Sequence, residues 1–344
     1  MTAIPPTMRR VIVTTDLALE IEQVPVPQPT AREALVQMTS AGVCGSDTHA
    51  LHGRHPFIPI PYAPGHEVLG TVRALGAAAD TLTVGQRVVV EPTLPCWECK
   101  QCRAGRENLC ENLQFFGCGY AQGGMADFFT VAANRLHAVP DELDDRQAIL
   151  IEPLSTPVHA VRLAGPLSGK TVAVLGAGTI GLMVLAAARH HGAARVVVTD
   201  VRADKRERAA ALGAHAAIDA SRPDAVDAVR EALGESADVV FDCVAVQHTI
   251  TQAIAMALKA GTVVVVGVPS ADVTIPLALV QDQQVRIQGS ATYLPDDYRE
   301  SIDLLLAGAV RPADFITADY PLDDIAQAFE ASSSGEHVKV VVHP

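Results

Sequence analysis

An α/β fold in two parts, a β-rich domain and a doubly wound parallel-sheet domain, is what this chain predicts. Three observations predict it. The length of 344 residues gives each of two domains enough chain for its own core. The pattern changes near residue 150, from short β-rich segments broken by turns to strand–helix alternation. In the second part, an apolar strand runs directly into Gly176-Ala177-Gly178-Thr179-Ile180-Gly181, which opens a helix.

The elements follow in order. Ala34–Met38, Val68–Val72 and Arg87–Glu91 are aliphatic and β-branched, bounded by Gly and Pro, and read as strands. The four prolines of Pro56–Pro64 remove backbone donors and fix an extended loop. Thr171–Leu175 is a short continuous apolar run, as a strand buried on both faces should be. Thr179–His190 is Ala- and Leu-rich and reads as helix. Arg195–Thr199, Asp238–Phe241 and Thr262–Val266 supply further strands, with helices over Ala225–Leu233 and His248–Leu258. Such alternation gives a parallel sheet with helices on both faces. From Thr292 the pattern loosens. Asp296–Ala307 reads as helix, and the apolar tail His337–Val342 as a strand that returns to the first domain. The first domain is thus expected over 1–153 and 292–344, the second over 154–291.

Composition narrows the function. Hydrophobic residues make up 49% and aromatics 4%, so the core is aliphatic. A net charge of −13 and no basic run argue against a nucleic-acid partner, which needs cations to neutralise phosphates. No apolar stretch has signal-peptide or membrane-spanning character. A cytoplasmic protein with no membrane partner is expected, and a reducing compartment keeps cysteines free for metal.

Four of the seven cysteines, Cys96, Cys99, Cys102 and Cys110, fall within CWECKQCRAGRENLC. Two residues separate each of the first three, and seven separate the third from the fourth. Four thiolates at that spacing close a tetrahedron with no open position, the pattern of a structural zinc. A lobe over about 92–113 is expected to hold it.

The glycine motif carries its own chemistry. Its first glycine makes a tight turn, the second admits a pyrophosphate, and the third lets the helix pack closely. The helix N-terminus, with Thr179 and Ile180, offers free N–H groups to phosphate. Asp200 ends the next strand, where it accepts hydrogen bonds from ribose hydroxyls and repels a 2′-phosphate. That favours NAD over NADP, although Arg202, Lys205 and Arg206 follow closely.

A second donor set is scattered. Gly42-Val43-Cys44-Gly45-Ser46-Asp47-Thr48-His49 places reactive side chains in a glycine-bounded turn, Gly65-His66-Glu67 follows, and Glu152 stands at the domain boundary. Sulfur, nitrogen and oxygen together are the donor style of a catalytic zinc with an open position. Taken singly, Cys44 also reads as a small buried hydrophobe and His66 as a core histidine.

The runs GVCGSDTH, PGHEVLGTV, the cysteine ladder, IEPLSTPVHA and VLGAGTIG occur in an order that resembles the zinc-dependent medium-chain alcohol dehydrogenases, in the branch of sorbitol, butanediol and threonine dehydrogenases. The resemblance spans essentially the whole chain. It implies a GroES-like catalytic domain from both chain ends around an inserted Rossmann domain, with the active site in the cleft between them. It implies one catalytic and one structural zinc, with Cys44, His66 and Glu67 around the catalytic ion. Glu152 would bind that ion or hold its water, and Asp47 would orient His66. It implies that a zinc-bound alcohol loses its proton to Ser46, that His49 or Glu152 passes it on, and that hydride goes to NAD. Lys205 stands near the ribose where the family often has Arg.

The implied substrate is a secondary alcohol or polyol (a vicinal diol, sugar alcohol or cyclitol). Threonine oxidation, or a non-catalytic zinc- and NAD-binding sensor, is the alternative. A homo-oligomer, tetramer or dimer, is implied as well. Sorbitol dehydrogenases carry an Arg-Tyr pair where this chain has Thr292-Tyr293, which weakens a sorbitol-like reading. The loop Leu51–Ala63 matches no one subfamily. Cys118 and Cys243 read as buried structural thiols, and Phe115 and Phe116 as pocket or core residues.

Overall fold

The computed structural model describes residues 3–344. The chain divides into two compact units, one reaching to Glu152 and resuming over Arg311–Pro344, the other spanning Pro153–Val310.

The first unit is built on a seven-stranded sheet around one long strand, Glu33–Val43. Its length lets one edge serve two partners. Phe128–Ala132 pairs with residues 33–37, and the C-terminal strand Lys339–His343 pairs with residues 41–43, both antiparallel. The other edge carries Glu67–Leu75. Aliphatic residues alternate inward along these strands and pack around Val36, Met38, Val68, Val72, Phe129 and Val340. The two-residue strands Thr93–Leu94 and Gln114–Phe115 pair with each other and close the cysteine excursion at its base.

The second unit holds a six-stranded parallel sheet. Its order is Ala216–Asp219, Arg195–Asp200, Thr171–Leu175, Ala237–Asp242, Ala257–Val265 and Arg286–Gly289. The first strand in sequence is central and buried throughout, which explains its unbroken apolar run. This doubly wound order places a topological switch beside Thr171–Leu175, where such folds bind ligands.

Two departures from the expectation concern the second unit. The helix expected over His248–Leu258 ends at Met256, and the next strand already begins at Ala257. Ala260 takes φ +60° and the pairing register shifts, so the apolar positions of 257–258 belong to an irregular strand start. The return to the first unit comes at Arg311 and not at 292. The helix Pro295–Leu306 is held in the second unit by polar contacts to the helix Ile151–Ala164. His159 Nδ1 lies 2.8 Å from the buried Asp297 carboxylate, Arg162 donates to Glu300 at 2.6 Å, and Ser155 meets Ser301 at 3.2 Å. Among the described residues, no helix is long and apolar enough to cross a membrane.

Candidate active site

Strand Glu33–Val43 ends at Cys44, which is the N-cap of the helix Gly45–Leu51. The glycine-bounded turn expected here is therefore a helix start. Asp47 causes it: its Oδ2 accepts the Cys44 N–H at 3.2 Å, half of a capping box. His66 and Glu67 arrive on the neighbouring strand. Pairing of Gly42 with Glu67 brings the glutamate beside Cys44. A Cβ on Gly42 would lie 2.0 Å from Glu67 Oε2, so a larger residue here would push that carboxylate aside.

The result is a compact donor set. One ligand atom each from Cys44, His66 and Glu67 lies within 4.8 Å of the others. Soft sulfur, imidazole and carboxylate in a mostly buried setting fit a zinc ion with a position left open. Glu152 is buried close by, 5% exposed, but stands outside this set; its charge is felt at Lys339.

Sequence reasoning missed two side chains here. Lys339 reaches in from the C-terminal strand and donates to both Glu67 oxygens, at 2.6 and 2.7 Å. Burial lowers the ammonium pKa, but the charges of Glu67 and Cys44 outweigh it and the net shift is upward. Cys118 is the second. Its Sγ lies 3.3 Å from His66 Nδ1, whereas Asp47 Oδ1 is 3.7 Å from that nitrogen, beyond hydrogen-bond reach. Cys118, expected as a buried structural thiol, thus stands against His66, and it shares with Asp47 the surroundings of that ring. Burial pushes the Cys118 thiol up to about 11. Cys243 is half-buried near Gly176. Phe115 stands edge-on to His66 at 5.8 Å, while Phe116 packs in the core on Phe129.

Ser46 and His49 lie three residues apart, on one face of the helix that Cys44 caps. Ser46 is half-buried and His49 exposed. Tyr293 is buried in the second unit, edge-on to Tyr298 at 5.3 Å.

In the cysteine lobe, Cys99 Sγ lies 3.5 Å from Cys102 Sγ and 4.0 Å from Cys110 Sγ, and all four sulfurs lie within 4.8 Å of one another. Tetrahedral zinc with ~2.3 Å bonds would separate its sulfurs by ~3.8 Å. Backbone N–H groups of Cys102 and Glu111 hold the Cys99 thiol down at about 6, favouring the thiolate a metal needs. Arg135 ties the lobe to the sheet. Its Nη1 lies 2.6 Å from Glu91 and 3.0 Å from Glu107, and its guanidinium covers Trp97 at 4.7 Å.

The glycine loop of the second unit fits a dinucleotide. A Cβ on Gly181 would lie 1.8 Å from Gly176 O, so the helix packs as close as the third glycine was expected to allow. Gly178 faces open space, where a phosphate can approach the backbone. Asp200 Oδ2 accepts the Ala177 N–H at 2.9 Å, which fixes the carboxylate beside the loop. Arg202 is forked onto Asp204, and Arg206 donates to the Asp200 and Val201 carbonyls.

The two units match two family models, the alcohol dehydrogenase GroES-like domain over residues 30–141 and zinc-binding dehydrogenase over 179–307. Sorbitol dehydrogenase of Ovis aries is 34% identical, over 94% of this chain and 93% of its own. This chain belongs to the zinc-dependent medium-chain alcohol dehydrogenases. It is an oxidoreductase that acts on CH–OH groups, and the family works with zinc and a nicotinamide dinucleotide. Solved dehydrogenases agree. One of Sinorhizobium meliloti, assigned as zinc-binding and bound to NADP, is 34% identical with a TM-score of 0.92, covering 98% of this chain and 99% of its own. 2R,3R-Butanediol dehydrogenase of Bacillus subtilis is 28% identical with a TM-score of 0.91, covering 98% and 99%.

Proposed function

We propose that this dehydrogenase oxidises a secondary hydroxyl of a polyol or vicinal diol to the ketone, with NAD as hydride acceptor. The observation that carries the reading is the buried S/N/O set of Cys44, His66 and Glu67. Two relatives are named for a polyol and a vicinal diol, sorbitol and 2R,3R-butanediol.

In this reading Cys44, His66 and Glu67 hold the catalytic zinc, with Glu152 as a further ligand or the anchor of its water. Cys96, Cys99, Cys102 and Cys110 hold the structural zinc. The bound zinc supplies Lewis acidity that brings a substrate hydroxyl's pKa toward neutrality, and the nicotinamide takes the hydride. The protein does the rest. Ser46, half-buried two residues from Cys44, accepts the hydroxyl proton as it gives up its own, which His49, exposed three residues further along the same helix, takes and hands to water. Lys339 offsets the charge of Glu67, so that the donor set is not over-neutralised. Phe115 packs edge-on against the His66 ring. Gly176, Gly178, Thr179, Ile180 and Gly181 cradle the pyrophosphate, while Asp200 and Lys205 meet the ribose.

The test follows NAD reduction at 340 nm, the absorbance of the reduced cofactor, across 2,3-butanediol, sorbitol, xylitol, inositols, threonine and simple secondary alcohols. Turnover is expected with the polyols or the diol, and to vanish in Cys44→Ala. Turnover of threonine alone, or turnover that survives Cys44→Ala, overturns the reading.

A further inference from the structure

We infer that Asp204 sets cofactor selectivity by holding the Arg202 guanidinium away from the adenosine ribose, an inference that rests on the proposed dinucleotide-binding role of the glycine loop.

Asp200 anchors this corner of the fold. Its two carboxylate oxygens accept the N–H of Ala177, in the glycine loop, and the N–H of Arg202, each at 2.9 Å. Arg202 therefore begins where the ribose 2′ position of a dinucleotide is expected. A guanidinium fork fits a phosphate as well as a carboxylate, so this residue is equipped to take a 2′-phosphate. In this structure the fork is on Asp204 instead. Arg202 Nε donates to Oδ1 at 3.0 Å and Nη2 to Oδ2 at 3.1 Å, a bidentate pair.

The neighbouring arginine is committed differently. Arg206 Nη1 donates to the carbonyls of Asp200 and Val201, at 3.0 and 2.9 Å, and Nη2 lies 3.5 Å from Asp219. Those contacts brace the strand end, and releasing them disturbs the loop. The Arg202–Asp204 pair is different because both side chains are partly exposed, 41% and 43%, and it braces no backbone, so it can be altered without disturbing the strand end. A 2′-phosphate would thus meet the Asp200 carboxylate, a second carboxylate at Asp204, and a guanidinium already occupied. Asp204 opposes NADP twice over, by its own charge and by its grip on Arg202.

The experiment titrates the zinc-loaded, full-length enzyme with NADH and NADPH, reading the fluorescence of the bound nicotinamide. Asp204→Asn keeps the shape and the helix start but drops the charge. It is expected to tighten NADPH by about tenfold while leaving NADH within about twofold, as a freed charge-assisted contact should. In Arg202→Ala/Asp204→Asn most of that gain disappears. Asp204→Ser carries the same test should the amide disturb the turn. An unchanged NADPH-to-NADH ratio in both Asp204 variants overturns the inference. So does an equal gain in the Arg202→Ala background, which would leave only a general charge effect. Wild-type enzyme that binds neither nucleotide refutes the dinucleotide reading itself, and the inference with it.

Discussion

Lys339 Nζ sits between the two carboxylate oxygens of Glu67, at 2.6 and 2.7 Å, with both side chains buried. The last strand of the chain thereby braces the carboxylate of a donor set begun by Cys44. Removing one partner of a buried pair leaves the other charge uncompensated. Lys339→Met is expected to destabilise the fold by about 3–5 kcal/mol, while Lys339→Met/Glu67→Gln recovers a good part of that loss. Denaturant unfolding of the single and double variants checks it. Equal losses in both would mean that the lysine acts through packing alone.

That pair shows where the sequence stops being legible. The glycine loop was readable because strand, turn and helix are contiguous, and Thr171–Leu175, Thr179–His190 and Ala225–Leu233 stand at the residues their patterns indicated. Lys339 lies 272 residues from Glu67, in a strand whose apolar pattern says nothing about which way one lysine turns. Cys118 lies 52 residues from His66, in a glycine-rich loop with no periodicity to read. The grouping of residues 295–306 with the second unit was hidden for the same reason. The contact that keeps 295–306 there joins Asp297 to His159, 138 residues apart. Local signals place elements; long-range polar pairs decide which unit they serve.

Arg135 is expected to control the stability of the cysteine lobe. It is the shared partner of Glu91 in the sheet, Glu107 beside Cys110, and Trp97 within the ladder. Lysine keeps the charge but not the planar guanidinium, whose Nη1 meets both carboxylates while its face covers Trp97. Arg135→Lys should release one zinc per chain to a chelator several-fold faster, with the second zinc unaffected. Cys99→Ser should lose that zinc outright. Metal analysis after timed chelation distinguishes the cases, and full zinc retention in Cys99→Ser would refute the lobe assignment.

Cys118 is expected to steady His66. Partners of a metal-binding imidazole commonly affect metal affinity by about 10–100-fold. With Asp47 Oδ1 at 3.7 Å, the thiol at 3.3 Å is the nearer partner of Nδ1. Cys118→Ala should weaken zinc at the Cys44 site within that range, read by chelator competition, and leave the lobe zinc untouched. A Cys118→Ser variant should recover part of the affinity, because its hydroxyl also hydrogen-bonds. Unchanged competition in both would assign the contact to packing.

Asp242 gives a pH signature. It is fully buried at the end of a central strand, where it accepts the N–H groups of Val244 and Ala245 at 3.0 and 2.9 Å and the Thr249 hydroxyl at 2.9 Å. This fixes the turn in which Val244 walls the glycine loop at Gly176. Burial raises the carboxyl pKa, and the three hydrogen bonds only partly oppose it. A raised acid binds its proton more readily in the folded state, so the folded protein gains stability as pH falls through the raised value toward the ordinary carboxylate range. Above that window the charged group is a net cost to folding. Asp242→Asn keeps an acceptor for the two N–H groups and can donate to Thr249, without the charge. Its melting temperature should equal or exceed that of the parent at pH 8, and the difference should shrink as pH falls toward the ordinary carboxylate range. Melting curves of both proteins over that range decide it. A difference that widens toward acid would mean that the hydrogen bonds outweigh burial and that Asp242 is better held as the anion.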